Sequence, residues 1–158
     1  MKRRLSALMV LAVLGLGACA HDRGETAAGY SWIYLENQSE GAKLAYGLPN
    51  SDAILLMMTC KPGSRTVDLS MISADKKPEF ILISRKTQER VVGRSVPDMM
   101  SGAQLIEASS RADGAALSSF DRTGDLAVVN QGRRFNLKAG KNDRADVTQF
   151  FRSCGKAA

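Results

Sequence analysis

The chain has 158 residues, a formal net charge of +6 and a single histidine. Its hydrophobic content of 44% is typical of a globular protein and too high for an intrinsically disordered one. One histidine excludes zinc sites that are built from several histidines.

The N-terminus carries a positively charged segment followed by an apolar one. Lys2, Arg3 and Arg4 precede a run, residues 5–16, that is broken only by a serine and a glycine. This run is shorter than the ~20 apolar residues that a membrane-spanning helix needs. The order of the two segments is typical of a secretory signal peptide, and we expect residues 1–18 to be removed.

The end of this segment resembles a known processing motif. Leu16-Gly17-Ala18-Cys19 resembles the lipobox of bacterial lipoproteins. The resemblance implies cleavage before Cys19, lipid on its sulfur and attachment to a membrane. Because Ala20 stands where an aspartate would retain a lipoprotein in the inner membrane, it also implies the outer membrane, facing the periplasm. An ordinary signal peptide that ends at Ala18 is the alternative.

Polar and small residues follow the lipobox. Residues 19–29 lack apolar periodicity and are predicted to form a lipidated, flexible tether. Residues 30–158 then fit one domain, since about 130 residues is a common domain length.

In most of this domain apolar and polar residues alternate, as they do in β-strands. Val67, Leu69 and Met71 are separated by polar residues, whereas residues 53–60 are nearly all apolar and predict a strand buried on both faces. Residues 101–112 fit either a strand or a short helix. Further strands are predicted at residues 31–35, 42–46, 80–84, 90–96, 104–108, 116–121, 126–130 and 133–138. Many short strands predict a mainly β fold, an antiparallel sandwich or barrel-like sheet.

Near the C-terminus the spacing of apolar residues changes from that of a strand to that of a helix. Val147, Phe150, Phe151 and Cys154 fall on one stripe of a helix. We therefore predict a C-terminal helix, near residues 143–154, that packs on the sheet.

The three cysteines are expected to have two different roles. If Cys19 carries lipid, Cys60 and Cys154 remain as a pair in an oxidising compartment, where disulfides persist. The predicted disulfide requires Cα atoms about 4.4–6.8 Å apart. Redox catalysis is the alternative, but the chain has no Cys-x-x-Cys motif.

Several tracts of the domain resemble those of uncharacterised envelope proteins of proteobacteria. The tracts are Tyr46-Gly47-Leu48-Pro49, Ser51-Asp52, the strand ending at Cys60, Gly63-Ser64 and Phe150-Phe151-x-x-Cys154-Gly155. The resemblance implies a β-rich fold closed by a helix and a disulfide. It brings no activity or ligand.

Catalytic motifs are scarce in the sequence. His21 lies in the predicted tether, where an imidazole is not held rigidly enough for a catalytic triad. Ser73 and Lys76 match Ser-x-x-Lys, but they stand in a polar segment rather than at the start of a helix. Adjacent methionines, such as Met57 and Met58, fit core packing better than soft-metal binding. We predict no catalytic residue, metal or cofactor.

Positive charge is concentrated near the C-terminus. Removing the signal peptide lowers the formal charge from +6 to +3, because it takes away three basic residues. The remaining excess predicts a basic surface that contacts anionic lipid headgroups or an acidic protein. Ordinary solvated side chains are the alternative, and nucleic acid is not an expected partner. The surface comprises Arg133, Arg134, Lys138, Lys141 and Arg144.

Two functional hypotheses follow. The first is a membrane-tethered envelope lipoprotein that acts as a non-enzymatic binding, assembly or accessory module with an envelope protein as partner. The second is a small periplasmic hydrolase with an unrecognised serine or carboxylate site. A cleft holding convergent polar groups would favour the hydrolase.

Overall fold

A computed structural model describes residues 28–37, 40–74, 76–99 and 102–155. This part of the chain forms nine strands and two helices, and neither helix is long and apolar enough to span a membrane. The strands are β1 (Ser31–Asn37), β2 (Gly41–Gly47), β3 (Ile54–Cys60), β4 (Thr66–Ser73), β5 (Glu79–Ser84), β6 (Thr87–Pro97), β7 (Gln104–Arg111), β8 (Ala127–Asn130) and β9 (Arg133–Asn136). The helices are α1 (Ala115–Thr123) and α2 (Arg144–Gly155).

All strands belong to one antiparallel sheet. Their order is β1-β2-β3-β4-β7-β6-β5-β8-β9, and the sheet curls into a half-barrel. Helix α1 packs on β5 and β6, and α2 packs on β1 and β2, so the helices and one face of the sheet enclose a single core. The predicted mainly β, barrel-like fold with a C-terminal helix is confirmed.

Strand β6 joins the two halves of the sheet. It pairs with β5 up to Val92 and with β7 from Gly93 onward. A Cβ atom at Gly93 would lie 1.9 Å from the carbonyl oxygen of Glu107. Because only glycine permits so close an approach, Gly93 is where the curling sheet passes from one half to the other.

The alternating pattern of β4 corresponds to its two faces. Val67, Leu69 and Met71 are buried in the core, whereas Asp68 and Ile72 are exposed on the outer face.

Strand β3 differs from the prediction that both of its faces are buried. Its inner residues are buried, but the outer ones are only half buried, because no helix covers the outer face there.

The segment predicted as a strand at residues 116–121 is helix α1, so this prediction is wrong. Ala116, Leu117 and Phe120 share its buried face, a spacing that an α-helix produces. Gly124, at φ 72°, ends the helix by donating its N–H to the carbonyl of Phe120. The ambiguous segment before it, residues 101–112, contains strand β7 rather than a helix.

Helix α2 forms where the apolar stripe predicts it, and it also protects an edge of the sheet. Val147, Phe150, Phe151 and Cys154 are buried beneath it. At its N-terminal end, Oδ2 of Asp143 accepts the N–H of Trp32 at 3.5 Å, and within the helix Oδ2 of Asp146 accepts the N–H of Tyr34 at 3.4 Å. These carboxylates satisfy two of the outward N–H groups of edge strand β1, which hinders pairing with other chains.

The open side of the half-barrel is closed by aromatic packing. The ring centroids of Trp32 and Phe120 are 5.0 Å apart, and those of Phe120 and Phe151 are 6.0 Å apart. The indole Nε1 of Trp32 donates to the carbonyl of Leu137 at 2.8 Å. The segment after β9 therefore reaches β1, the opposite edge of the sheet.

Candidate functional site

Cys60 and Cys154 form a disulfide. Their Cα atoms are 5.7 Å apart, inside the predicted range, and both residues are buried. Cys60 is the last residue of β3 and Cys154 lies near the end of α2, so the bridge fixes the helix to the sheet. The third cysteine, Cys19, lies outside the described residues.

The predicted basic residues do not form one surface, because Arg144 has a structural role. Its guanidinium Nη2 donates to the carbonyl of Asp121 at 2.8 Å, and it makes longer bonds, of 3.3 and 3.4 Å, to the carbonyls of Arg122 and Phe120. The carbonyls of Asp121 and Arg122 are among those that the C-terminal end of α1 leaves without an intrahelical partner, whereas the carbonyl of Phe120 also accepts the N–H of Gly124. The guanidinium therefore caps α1.

Two more of the predicted residues are dispersed. Arg133 stacks over the ring of Phe135, with its Cζ atom 5.1 Å from the ring centroid. Lys141 is exposed in the turn before α2. Neither residue lines a depression together with Arg134 and Lys138.

Arg134 and Lys138 line a depression on the outer face of the sheet, together with Arg85. Nε of Arg85 lies 2.5 Å from Oδ2 of Asp125, and Nζ of Lys138 lies 3.6 Å from Oδ1 of the same carboxylate. We call Arg85, Asp125, Arg134 and Lys138 the Asp125 surface. Three cations face one carboxylate there, so the surface has an excess of two positive charges.

The shape of the Asp125 surface suits a small anionic group. The depression has a volume of about 420 Å³, and its apolar lining includes Ile83 and Ala127, which are cross-strand partners on β5 and β8. The Arg85 side chain is 64% exposed and that of Lys138 is 75% exposed. Because both reach into solvent, they remain able to turn toward a carboxylate or phosphate.

Sequence reasoning missed Arg85. It occupies the turn between β5 and β6 with a φ of 54°, and pairing of β5 with β8 brings it to Asp125. The one available signal was the Arg85-Lys86 pair between two alternating segments, which predicts an exposed hairpin turn.

A larger depression, about 740 Å³, runs along α2. Glu36, Pro62, Arg144 and Arg152 contribute to its lining. Its charges are mixed, and the Arg144 guanidinium is already bound to α1. The hydroxyl of Tyr34 nearby shares hydrogen bonds with Glu36 and Ser153, and partial burial raises the pKa of Tyr34. Two guanidiniums and one carboxylate line this groove, so its excess of one positive charge is smaller than that of the Asp125 surface.

Two serine hydroxyls contact carboxylates, and the hydrolase hypothesis proposes a serine or carboxylate site. Ser110 donates to Oε1 of Glu89, and Ser109 donates to Oδ1 of Asp68 at 2.6 Å. The other oxygen of Glu89 is buried at the start of α1, within 2.8 Å of where a Cβ of Gly114 would lie. A carboxylate there stabilises the helix dipole, so Glu89 has a structural explanation.

The Ser-x-x-Lys serine also has structural partners. Ser73 is buried at the end of β4, not on a helix. Its hydroxyl donates to Oδ1 of Asn130 at 3.0 Å and accepts from Nε2 of Gln131 at 2.6 Å. This network joins β4 to the turn after β8, and its serine is enclosed rather than presented to a substrate.

The described ranges contain no cluster of three or more His, Cys, Asp or Glu residues arranged to hold a metal ion. Met58 is buried in the core while Met57 is half buried on the opposite face of β3. Met99 is exposed, and Met100 lies outside the described residues. Adjacent methionines on β3 therefore do not converge on one point.

Known proteins offer no guide to this site. No protein-family model, no curated protein and no solved structure matches the chain. What the protein does must therefore be inferred from its own residues and geometry.

Proposed function

We propose that the protein is a membrane-tethered lipoprotein of the bacterial cell envelope that acts as a non-enzymatic binding module. The observation that carries this proposal is how the cysteines are divided. The fold pairs Cys60 with Cys154, and the third cysteine of the sequence is Cys19, the cysteine of the lipobox-like tetrad. A buried disulfide suits an oxidising compartment, and a spare cysteine after a signal peptide suits lipid attachment.

The chain between the lipid and the domain sets how far the domain extends from the membrane. Eleven residues separate Cys19 from Ser31, the first residue of β1. At about 3.3–3.6 Å per residue they span at most about 40 Å. Two or more acyl chains on Cys19 make a stable anchor, whereas one chain holds a protein only marginally. The start of β1 would then lie within about 40 Å of the lipid, with the domain facing the periplasm from the outer membrane.

The binding role rests on the Asp125 surface. It combines concave shape, apolar lining and an excess of positive charge, and paired strands β5 and β8 lie beneath it. We propose that it receives an acidic segment of another envelope protein, whose carboxylates would compete with Asp125 for Arg85 and Lys138. Such pairs give specificity and speed association more than they add affinity.

The anchoring is tested by replacing Cys19 with serine and separating membranes from soluble protein. Wild-type protein should incorporate labelled fatty acid and sediment with membranes. Cys19→Ser protein should incorporate none, and should appear in the soluble fraction or remain uncleaved. Ala20→Ser, which keeps the cysteine, is the control. If Cys19→Ser protein is processed, labelled and sedimented like the wild type, the proposal is wrong.

The binding surface is tested by a photo-crosslinking residue at position 138 in intact cells. We expect a discrete adduct with one protein, and Arg134→Glu in the same chain should abolish it. The control places the crosslinker at position 61, in the exposed turn after β3. The same adduct from both positions, or an adduct that survives Arg134→Glu, would show that partners do not use the Asp125 surface.

A further inference from the structure

One end of the sheet is set apart by where the chain enters it. The pairing registers place the first residue of β1 at one end of the sheet. The last residues of β2, β4 and β6 and the first residues of β3 and β7 lie at the same end. We call this the tether end. Its residues are Ser31, Gly47, Ile54, Ser73, Pro97 and Gln104.

Apolar side chains are exposed at the tether end. On the outer face, Leu105 is flanked by its cross-strand partners Ile72 on β4 and Val96 on β6. Ile72 is 47% exposed and Val96 is 38% exposed, and Leu105 is half buried between them. Cross-strand partners share one face of a sheet, so the three form a continuous aliphatic row.

A fourth apolar side chain extends beyond this row. Met99 follows Pro97, the last residue of β6, and is 93% exposed. Five large apolar residues among the described ones are exposed, and three of them, Ile72, Val96 and Met99, lie at the tether end. The other two, Leu35 and Val92, are separated from them along β1 and β6.

We propose that the tether end rests on the membrane surface, with Met99 and the aliphatic row of Ile72, Val96 and Leu105 inserted at its boundary. This orientation rests on the proposed lipid at Cys19. The residues that join Cys19 to the domain lead to Ser31, so the tether end is the part of the sheet nearest to the anchor along the chain. The other end of β1 lies about 20 Å farther along the strand, since seven residues rise about 3.3 Å each.

Membrane contact accounts for both the position and the character of these side chains. Large apolar side chains grouped at one place on a surface mark an interaction site, whereas isolated ones need no explanation. Because the anchor holds the domain close to the bilayer, the effective concentration of lipid at its surface is high. Even weak apolar contacts with the bilayer then form. The occupant is therefore the lipid surface itself.

The experiment uses the full lipidated chain in phospholipid vesicles. Tryptophan is introduced as Met99→Trp, or as Lys61→Trp in the exposed turn at the opposite end. The native Trp32 is 2% exposed and gives the same background in both. With brominated lipids, which quench tryptophan within the bilayer, Met99→Trp should lose about half of its added fluorescence, because inserted side chains lie about 5–10 Å deep. Lys61→Trp should lose none.

A further variant tests the aliphatic row. Val96→Asp added to Met99→Trp places a charge beside Leu105 and should return the quenching to the level of Lys61→Trp. If Val96→Asp leaves the quenching unchanged, the aliphatic row does not insert into the membrane, and that part of the proposal is wrong.

The outcomes separate orientation from anchoring. If the chain floats with vesicles but Met99→Trp is quenched no more than Lys61→Trp, the orientation is wrong while the lipid anchor stands. If position 99 is shielded from iodide without being quenched by lipid, a protein covers it and the proposal fails. If the full chain lacks lipid and does not float, both the orientation and the proposed anchoring fail.

Discussion

The two helices lie over the same core but are held in different ways. Helix α2 is fixed by the Cys60–Cys154 bridge, by four further buried side chains and by hydrogen bonds that β1 donates to Asp143 and Asp146. Helix α1 has no side-chain cap at its start, and its end depends on Gly124 and on Arg144, which is contributed by α2.

This difference indicates that the stability of α1 depends on α2, which depends in turn on the disulfide. The disulfide holds α2, and α2 in turn caps α1. We therefore expect that loosening α2 also loosens α1, whereas loosening α1 leaves α2 in place. The contacts between the helices stabilise both of them, so what distinguishes this arrangement from two helices that pack independently is that α1 opens at a lower free energy than α2.

Removing the disulfide should have the largest effect. Cys154→Ala opens a loop whose ends are 94 residues apart, and the loop-entropy model predicts a loss of up to about 4–5 kcal/mol in the free energy of unfolding. Urea denaturation measures the loss, and amide exchange should quicken in both helices.

The double variant Cys60→Ala/Cys154→Ala provides the control for this experiment. It should be about as stable as the single one, because the bridge is already absent. If α1 exchanges as slowly as in the wild type while α2 is released, the dependence of α1 on α2 is refuted.

Arg144→Met should have the next largest effect. The substitution keeps an apolar stem but removes the bonds to three carbonyls of α1, and hydrogen bonds to a charged group contribute about 1.5–3 kcal/mol. Amide exchange should quicken in α1 and change little in α2. Arg152→Met, at an exposed position of the same helix, is the matched control and should change stability by less than about 0.5 kcal/mol. Equal effects of the two would show that Arg144 does not cap α1.

Gly124→Ala tests the other cap of α1. At φ 72° an alanine costs about 1 kcal/mol, and its Cβ would lie 2.8 Å from Cδ of Arg144. The melting temperature should fall, with the loss of protection confined to α1. Gly140→Ala is the control, since the nearest atom to its Cβ is 3.7 Å away and its φ is not positive. A Gly124→Ala protein as stable as the control would contradict this role.

Asp121→Asn should have the smallest effect, within about 0.5 kcal/mol. Burial raises the pKa of Asp121, and the attraction of Arg144 only partly opposes it. A carboxyl whose folded pKa is raised destabilises the fold once it ionises, so stability falls as the pH rises through that pKa. The asparagine variant should be slightly more stable at pH 7 and should lack this loss. Denaturation between pH 3 and pH 7 measures it, and a less stable variant at pH 7 would contradict the reasoning.

The contrast between the helices also explains what the sequence could predict. Helix α2 carries a stripe of large residues at i, i+3, i+4 and i+7, which only a helix brings together. Helix α1 offers Ala116, Leu117 and Phe120 among serines, too few large residues to separate a helical period from a strand. Strand β4 was predictable because each alternate residue is clearly apolar.

The candidate site was less predictable because it is made by long-range pairing. Arg134 and Lys138 are near in sequence, and pairing of β8 with β9 brings Asp125 to them, but Arg85 reaches them only through pairing of β5 with β8. Local charge alone grouped Arg144 with them, since nothing in the sequence shows that a guanidinium faces the end of another helix. Charge density predicts where cations lie, and hydrogen-bond geometry decides which of them are free to bind.

The carboxylates that seal β1 have a consequence for the order of folding. Asp143 and Asp146 lie 111 and 112 residues beyond the N–H groups that they satisfy. Because the chain is synthesised from its N-terminus, β1 and β2 are complete long before these residues exist. Until residues 143–155 emerge, the nascent sheet has an open edge able to pair with a neighbouring chain. A chain that stops before α2 should therefore aggregate rather than remain as a shortened monomer.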